Sequence, residues 1–305
     1  MRRRDLLLAT SGVGAALIAE RASGRPRPSR AAPAQRGIYV SQTTLYDREK
    51  LEGLLRLCSS FGVQTMVVDL WSSSQPYSAA VRTILGAGIA YVPRVLVFPE
   101  GGTAGTVLRR DYWEKRMRSV EAGLELGAQR IQLDYIRYNT AREPRRQHAF
   151  DILAVLQFFS QAIRASGARV EIDVFGDAAG GPSDRIGQDL RLFGPHVDTV
   201  CPMAYPSHYR PYESSWQKPF QVVRSSVKSA QNQLPAQCEV KAYVEMFNLR
   251  TNMSDAMRSR YIRRQIQGAI SAGAAGWYAW SSTNSYGLLF DALAAYGERF
   301  EHLDS

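Results

Sequence analysis

Residues 130–138 read Arg130-Ile131-Gln132-Leu133-Asp134-Tyr135-Ile136-Arg137-Tyr138. Side chains of a β-strand switch faces with period 2. Ile131, Leu133 and Tyr135 are therefore expected on one face, and Gln132 and Asp134 on the other. A carboxylate inside an otherwise apolar strand is costly to bury. The run 169–176, Arg169-Val170-Glu171-Ile172-Asp173-Val174-Phe175-Gly176, repeats the pattern with Asp173. Two acids at equivalent ends of successive strands suggest a paired-carboxylate site.

Outward from these two runs, strand and helix patterns alternate. Strands are expected at 37–41, 65–70, 90–98, 130–135, 169–175, 199–205, 239–246 and 276–281. Helical spacing of apolar residues marks 47–61, 108–126, 150–165, 219–233 and 257–272. Gly62, Gly88, Gly127, Gly167 and Gly273 each follow a helix end, where a left-handed cap favours glycine. Eight strands alternating with helices argue for a parallel sheet. The chain has 305 residues, and its mature part matches the usual ~250 of a closed (β/α)₈ TIM barrel. The expectation is an α/β chain with a single barrel domain over residues 36–300. No glycine-rich turn follows the first strand, so the signature of a dinucleotide-binding sheet is missing.

Residues 1–34 read as an export leader and connector. Arg2, Arg3 and Arg4 precede a short, mildly apolar stretch over 6–19, and 22–35 are rich in Arg, Pro and Ala. Arg3-Arg4-Asp5-Leu6-Leu7 resembles the twin-arginine pattern, and Ala32-Pro33-Ala34 offers a cleavage site. A periplasmic or secreted protein is expected. The net charge is +10, and residues 1–34 supply half of it with seven Arg against one Asp and one Glu. The remainder does not call for a nucleic-acid partner. Arg142, Arg145 and Arg146 form a local basic cluster, read as a solvated helix start. No run of about 18 apolar residues suggests membrane insertion of the mature chain. Cys58, Cys201 and Cys238 allow at most one disulfide, and burial as small apolar residues suits Cys58 and Cys201. The four His show no metal-binding spacing, and no cofactor is expected.

In a barrel, catalytic residues stand at the C-terminal strand ends and in the loops beyond. Strand parity collects Asp69, Arg94, Asp134, Glu171, Asp173, Lys241 and Glu245 into one interior, where Val, Ile and Leu are usual. So many ionisable groups need partners or a task. An Arg94–Glu171 ion pair is expected as a structural element. Asp134 and Asp173 are the leading catalytic pair, and Glu245 is a substitute acid. Aromatic residues gather at the same ends. A sugar ring has apolar C–H faces and polar edges, which aromatic platforms and carboxylates suit. Trp280, Tyr205 and Tyr138 are the aromatic candidates.

Several stretches together resemble a glycoside hydrolase barrel family once catalogued as a domain of unknown function. They are Gly37-Ile38-Tyr39-Val40, residues 131–138, Asp173-Val174-Phe175-Gly176, residues 197–209 (with Pro202-Met203-Ala204-Tyr205-Pro206-Ser207-His208-Tyr209) and residues 276–284, ending in Asn284. The resemblance runs from about Gly37 to Tyr286. It implies a (β/α)₈ barrel acting on a polysaccharide or oligosaccharide. Two departures stand out. Strand 2 ends Asp69-Leu70-Trp71-Ser72-Ser73-Ser74 where the family has an Asp-Val-Lys-Asp-like end. Strand 7 reads Lys241-Ala242-Tyr243-Val244-Glu245 where an Arg-Pro-Trp-Leu-Gln-like pattern is usual.

The expected activity is thus hydrolysis of glycosidic bonds by two carboxylates. Asp134 would be nucleophile or charge stabiliser and Asp173 (or Glu245) general acid/base. Matched strand heights would put the carboxyls near the ~5–5.5 Å of a retaining enzyme, against ~6.5–9.5 Å for inversion. Arg137 and Tyr138 would hold Asp134 ionised or touch substrate. Asp69, Arg94, Tyr205, His208, Trp280 and Asn284 complete the expected binding set. Two alternatives remain open: a carbohydrate-binding barrel without turnover, and a metal-assisted hydrolase using Asp69, Asp134, Asp173 and Glu245 as oxygen ligands. Oligomeric state is not legible.

Overall fold

The computed structural model describes residues 34–141 and 143–295. The expected leader up to Pro33, Arg142 of the basic cluster and the end of the expected domain beyond residue 295 lie outside these. Eight parallel strands close a barrel in sequence order. They are β1 (Gln35–Val40), β2 (Thr65–Asp69), β3 (Ala90–Leu96), β4 (Arg130–Asp134), β5 (Arg169–Phe175), β6 (Thr199–Met203), β7 (Glu239–Glu245) and β8 (Gly276–Trp280). Seven longer helices surround them: α1 (Arg48–Ser60), α2 (Gln75–Gly86), α3 (Arg110–Glu125), α4 (Gln147–Ala165), α5 (Pro219–Gln231), α6 (Asp255–Ser271) and α7 (Gly287–Ala294). The β5–β6 crossing uses the short helices Gly176–Gly180 and Leu190–Phe193 and the 3-10 turn Gly194–His196. Among the described residues no helix is long and apolar enough to cross a membrane.

Local chemistry explains the helices. The Asp47 side chain accepts from Lys50 N at 3.0 Å and starts α1, a cap worth about 1 kcal/mol. Leu51, Leu54, Leu55 and Cys58 follow at helical spacing, and all are buried. Gly62, at φ +63°, turns the chain toward β2. The helix α2 was not among the expected segments, although Gly88 marks its end. Its apolar face rests on Tyr77, Val81 and Ile84, too few positions for a clear period.

Two cores result. The larger lies between sheet and helices and takes the outward residues, such as Ile131, Leu133, Ile172 and Val174. The smaller lies inside the barrel and is built from Tyr39, Val67, Val92, Cys201, Tyr205, Tyr243 and Tyr278. A Cβ on Gly37 would meet the Tyr278 ring, so the absence of a side chain there makes room for this interior tyrosine. All three cysteines are buried and free.

Register sets the heights of the site. Gln132 pairs with Glu171 across β4 and β5. Asp134 and Asp173, two residues further on, therefore stand level at the C-terminal rim. Arg94 pairs with both Asp69 and Gln132.

Candidate active site

The charged interior divides into two layers. In the lower one Glu171 is fully buried, and its Oε1 accepts from Lys241 Nζ at 2.7 Å. Tyr278 donates to the same carboxylate at 3.0 Å and accepts from Lys241 at 3.1 Å. Gln132 Nε2 lies 3.4 Å from Glu171, and Tyr243 donates to Gln132 Oε1 at 2.8 Å. Arg130 adds a longer ion pair at 3.6 Å. The expected Arg94–Glu171 pair is not formed. Arg94 extends toward the strand tops, and Lys241, from across the barrel, takes the Glu171 charge.

The upper layer centres on Arg94. Its guanidinium donates to Asp69 and, through Nη2 and through Nε at 3.0 Å, to Asp134. Asp173 Oδ2 lies 3.7 Å from Nε. Tyr39 donates to the second oxygen of Asp69 at 2.6 Å. Burial alone would lower the Arg94 pKa, but the charges of Asp134, Asp69 and Asp173 outweigh it and raise it well above the usual value.

Asp173 differs from its neighbours. It is 2% exposed, and its Oδ1 has no hydrogen-bond partner. Burial first, and the Asp134 charge second, push its pKa well up, with Arg94 opposing. Asp134 Oδ2 and Asp173 Oδ2 lie 3.0 and 3.7 Å from the same Arg94 Nε. The two acids thus stand side by side on one cation rather than facing each other across a sugar. Gln188 clamps the β5 end, accepting from Phe175 N at 2.9 Å and donating to Asp173 O at 3.3 Å.

These groups floor a cleft of about 260 Å³. Arg94, Asp134, Asp173, Tyr205, His208 and Trp280 of the expected set line it. Tyr205 and Trp280 pack at 5.9 Å between ring centroids, and His208 meets Tyr205 at 5.5 Å. Burial, and then Arg250, lower the His208 pKa, which favours the neutral ring at neutral pH.

The other expected residues are placed elsewhere. Asp69 stands beneath the cleft, occupied by Arg94 and Tyr39. Arg137 donates to Tyr138 O at 2.9 Å and lies over the rings of Tyr135 and Phe175. Arg94 takes the role of holding Asp134 that Arg137 was expected to fill. The Tyr138 hydroxyl is turned to Asp151 at 2.8 Å, away from the cleft. Asn284, in the left-handed region at φ +52°, accepts from Ser41 N and Oγ and donates to Tyr39 O and Ser281 O. It ties β8 to β1. Glu245 breaks the parity of β7: its carboxylate accepts from Ser207 N, Ser207 Oγ and Tyr261 OH and is not brought to Asp134 and Asp173. The inner wall at that height is filled by Trp280 and Phe247, 5.4 Å apart.

Some lining residues escaped the sequence reading. Tyr135 was assigned by alternation to the outer face. It has φ +52°, and its amide donates to Asp134 Oδ1, so the strand ends at Asp134 and Tyr135 turns over the cleft mouth. Asp177 also lines the cleft. An acid four residues beyond Asp173, just past the strand end, was the signal for it.

The proposed metal ligands do not fit a metal. Asp69, Asp134 and Asp173 converge on the Arg94 cation, and Glu245 faces other partners. Among the described residues no group of three or more His, Cys, Asp or Glu is placed to hold one.

Residues 106–286 match the model of a family described as "putative glycosyl hydrolase domain". No curated protein matches the chain. Among solved structures, the spore cortex-lytic enzyme SleL of Bacillus cereus aligns with a TM-score of 0.63 at 12% identity, over 86% of this chain and 74% of that one. A chitinase from Chromobacterium violaceum aligns with a TM-score of 0.61 at 13% identity, over 86% and 98%. At such identities the likeness is one of fold.

Proposed function

The chain belongs to this glycosyl hydrolase family, and from that premise we propose that it hydrolyses a polysaccharide or oligosaccharide with Asp173 as general acid and Asp134 as charge stabiliser. One observation carries the assignment. Asp173 keeps an unpartnered buried oxygen beside Asp134, at the floor of an aromatic-walled cleft. A buried carboxyl with a raised pKa holds a proton to give. The Asp134 carboxylate, paired with Arg94, presents negative charge to the same space.

Asp173 would pass its proton to the glycosidic oxygen as the bond from the anomeric carbon to that oxygen breaks. The cationic sugar that develops would face Asp134. Water would add to the anomeric carbon, and its proton would return to Asp173. Arg94 remains between Asp69 and Asp134 throughout. Trp280, Tyr205 and Tyr135 offer ring faces to the sugar, and His208 offers a neutral donor or acceptor. Because the two carboxyls share one side of the cleft, a covalent intermediate on a carboxylate facing the acid across the ring is not part of this mechanism.

The basic and then apolar leader of residues 1–34 supports export, so the substrate would be an envelope or extracellular glycan. The test is hydrolysis of a panel of bacterial exopolysaccharides and cell-wall glycans by residues 35–305, beside Asp134→Asn and Asp173→Asn. Products from wild type alone support the enzyme. Equal binding by all three proteins with no product would favour a carbohydrate-binding barrel.

A further inference from the structure

Glu245 is a buried acid that the proposed chemistry does not use. It is 0% exposed, and among the described residues no cation is hydrogen-bonded to it. Its environment is nonetheless specific. Oε1 accepts from Ser207 N at 2.9 Å and from the Tyr261 hydroxyl of α6, and Oε2 accepts from Ser207 Oγ at 2.7 Å. The main chain of the same residue is held from α6 as well. Gln265 Oε1 accepts from Glu245 N at 2.9 Å, and Gln265 Nε2 donates to Glu245 O at 3.0 Å. The strand top and the outer helix are thus one unit, and the carboxylate reaches from it to a loop.

That loop is the functional link. Ser207 stands in the middle of Tyr205–Tyr209, and Tyr205, His208 and Tyr209 all line the cleft. Arg250, beyond β7, donates from Nε to Ser207 O at 2.7 Å. Every polar group of Ser207 is therefore gripped from the β7–α6 side. A buried acceptor pair with well-placed donors is costly to leave unmade.

We propose that Glu245 is a positioning residue, which grips Ser207 and so fixes Tyr205, His208 and Tyr209 as one wall of the cleft. This rests on reading the cleft as the sugar site, but the grip itself can be measured without a substrate. The charged or polar groups around Glu245 are Tyr261 and Gln265 of α6, Arg250 of the β7–α6 loop, and Tyr205 and Ser207 of the β6–α5 loop. Burial pushes its pKa up to about 7, against the hydrogen bonds from Tyr261 and Ser207. Both forms keep the grip: a protonated Oε2 donates to Ser207 Oγ instead of accepting. The amide of a glutamine does the same, with its oxygen in the Oε1 position.

The experiment compares Glu245→Gln and Glu245→Ala in the full chain, by imidazole and tyrosine-ring NMR. Glu245→Gln is expected to leave the His208 and Tyr209 resonances in place. Glu245→Ala is expected to shift and broaden them while the Trp113 indole, packed on Phe158 far from this wall, stays unchanged. Ser207→Ala, which removes one of the three bonds, should move them the same way by less, and serves if Glu245→Ala does not fold. On a cleaved glycan, Glu245→Ala should raise KM about tenfold with a smaller change in kcat, and Glu245→Gln should restore KM. Unmoved His208 resonances in folded Glu245→Ala, or a shift as large in Glu245→Gln, would overturn the proposal. A glycan panel without hydrolysis, beside the expected NMR pattern, would count against the glycosidase reading and leave the grip standing.

Discussion

The barrel holds two buried charge clusters, one above the other, and they are built to opposite ends. In the lower cluster Glu171 meets Lys241, Tyr278 and Gln132, and both of its oxygens are used. In the upper cluster three carboxylates share one arginine, and Asp173 keeps an oxygen with no partner. A closed pair such as Glu171–Lys241 holds the strands in place. An excess of acid beside an open cleft is an expense that the fold gains nothing from, which fits the chemical role proposed for Asp173. Burial alone does not separate the two, since both clusters are almost entirely enclosed. Satisfaction of the last lone pair does.

The largest effect that would break this comparison is in the upper layer. Asp173→Asn is expected to lower kcat by ~10²–10⁴, the range for loss of a general acid, and Asp134→Asn by a similar factor. Steady-state rates on a cleaved glycan check both. Stability should respond in the other direction. The folded pKa of Asp173 is raised, so its protonated form suits the fold. Its contribution is complete below the unfolded value of ~3.9 and is lost as pH rises through the folded value. Wild type should lose stability over that window while Asp173→Asn holds flatter, as thermal melts across pH would show. Activity should fall on the alkaline side of the same folded value. A variant with full activity would remove Asp173 from the chemistry.

The lower layer should show the reverse. Lys241→Met strands the Glu171 charge and is expected to cost about 3–5 kcal/mol, read by denaturant melts. Turnover per folded molecule should stay within a few-fold of wild type. Adding Glu171→Leu should recover most of the loss, because well-packed apolar residues often replace a buried pair without penalty. A collapse of kcat in folded Lys241→Met would mean that the two layers act as one.

The period-2 pattern of 130–135 and 169–175 made the barrel and its two rim acids readable, because register and parity are properties of the strand itself. Parity also gathered Arg94, Glu171 and Lys241 into the interior. It could not assign partners. Arg94 and Glu171 are both inside, but the direction of each long side chain along the barrel axis decides that they do not meet. Parity failed where strands end. Tyr135 turns at positive φ beyond the end of β4, and Glu245, still paired with Trp280 on one side, leans toward Ser207 and Tyr261 where the β6–β7 ladder has stopped and Gln265 takes its main chain. Asn284, expected in the binding set from its place at the end of the 276–284 stretch, has its amide consumed in closing β8 onto β1. Such assignments depend on residues more than 240 positions apart in the chain, and no local pattern carries them.

At the cleft wall the expected effects are smaller. Trp280→Ala should weaken glycan binding about tenfold, roughly 1.4 kcal/mol, by removing a ring that packs on Tyr39, Tyr205 and Phe247; titration calorimetry with the inactive Asp173→Asn background would measure it.

The smallest effect is the sharpest check on where the site ends. Tyr138 shares its stretch of sequence with Asp134, and by proximity it belongs with the chemistry. Its ring is 1% exposed, lies 4.2 Å from His148 between centroids, and its hydroxyl is turned to Asp151. Tyr138→Phe keeps the ring and removes one partly buried hydrogen bond, an expected loss of about 1 kcal/mol in stability. Glycan turnover should be unchanged in both kcat and KM. A fall in either would mean that the β4–α4 loop, through Tyr138, is coupled to the upper cluster. The boundary between supporting and reacting groups would then lie further from Asp134 than the last unpaired oxygen indicates.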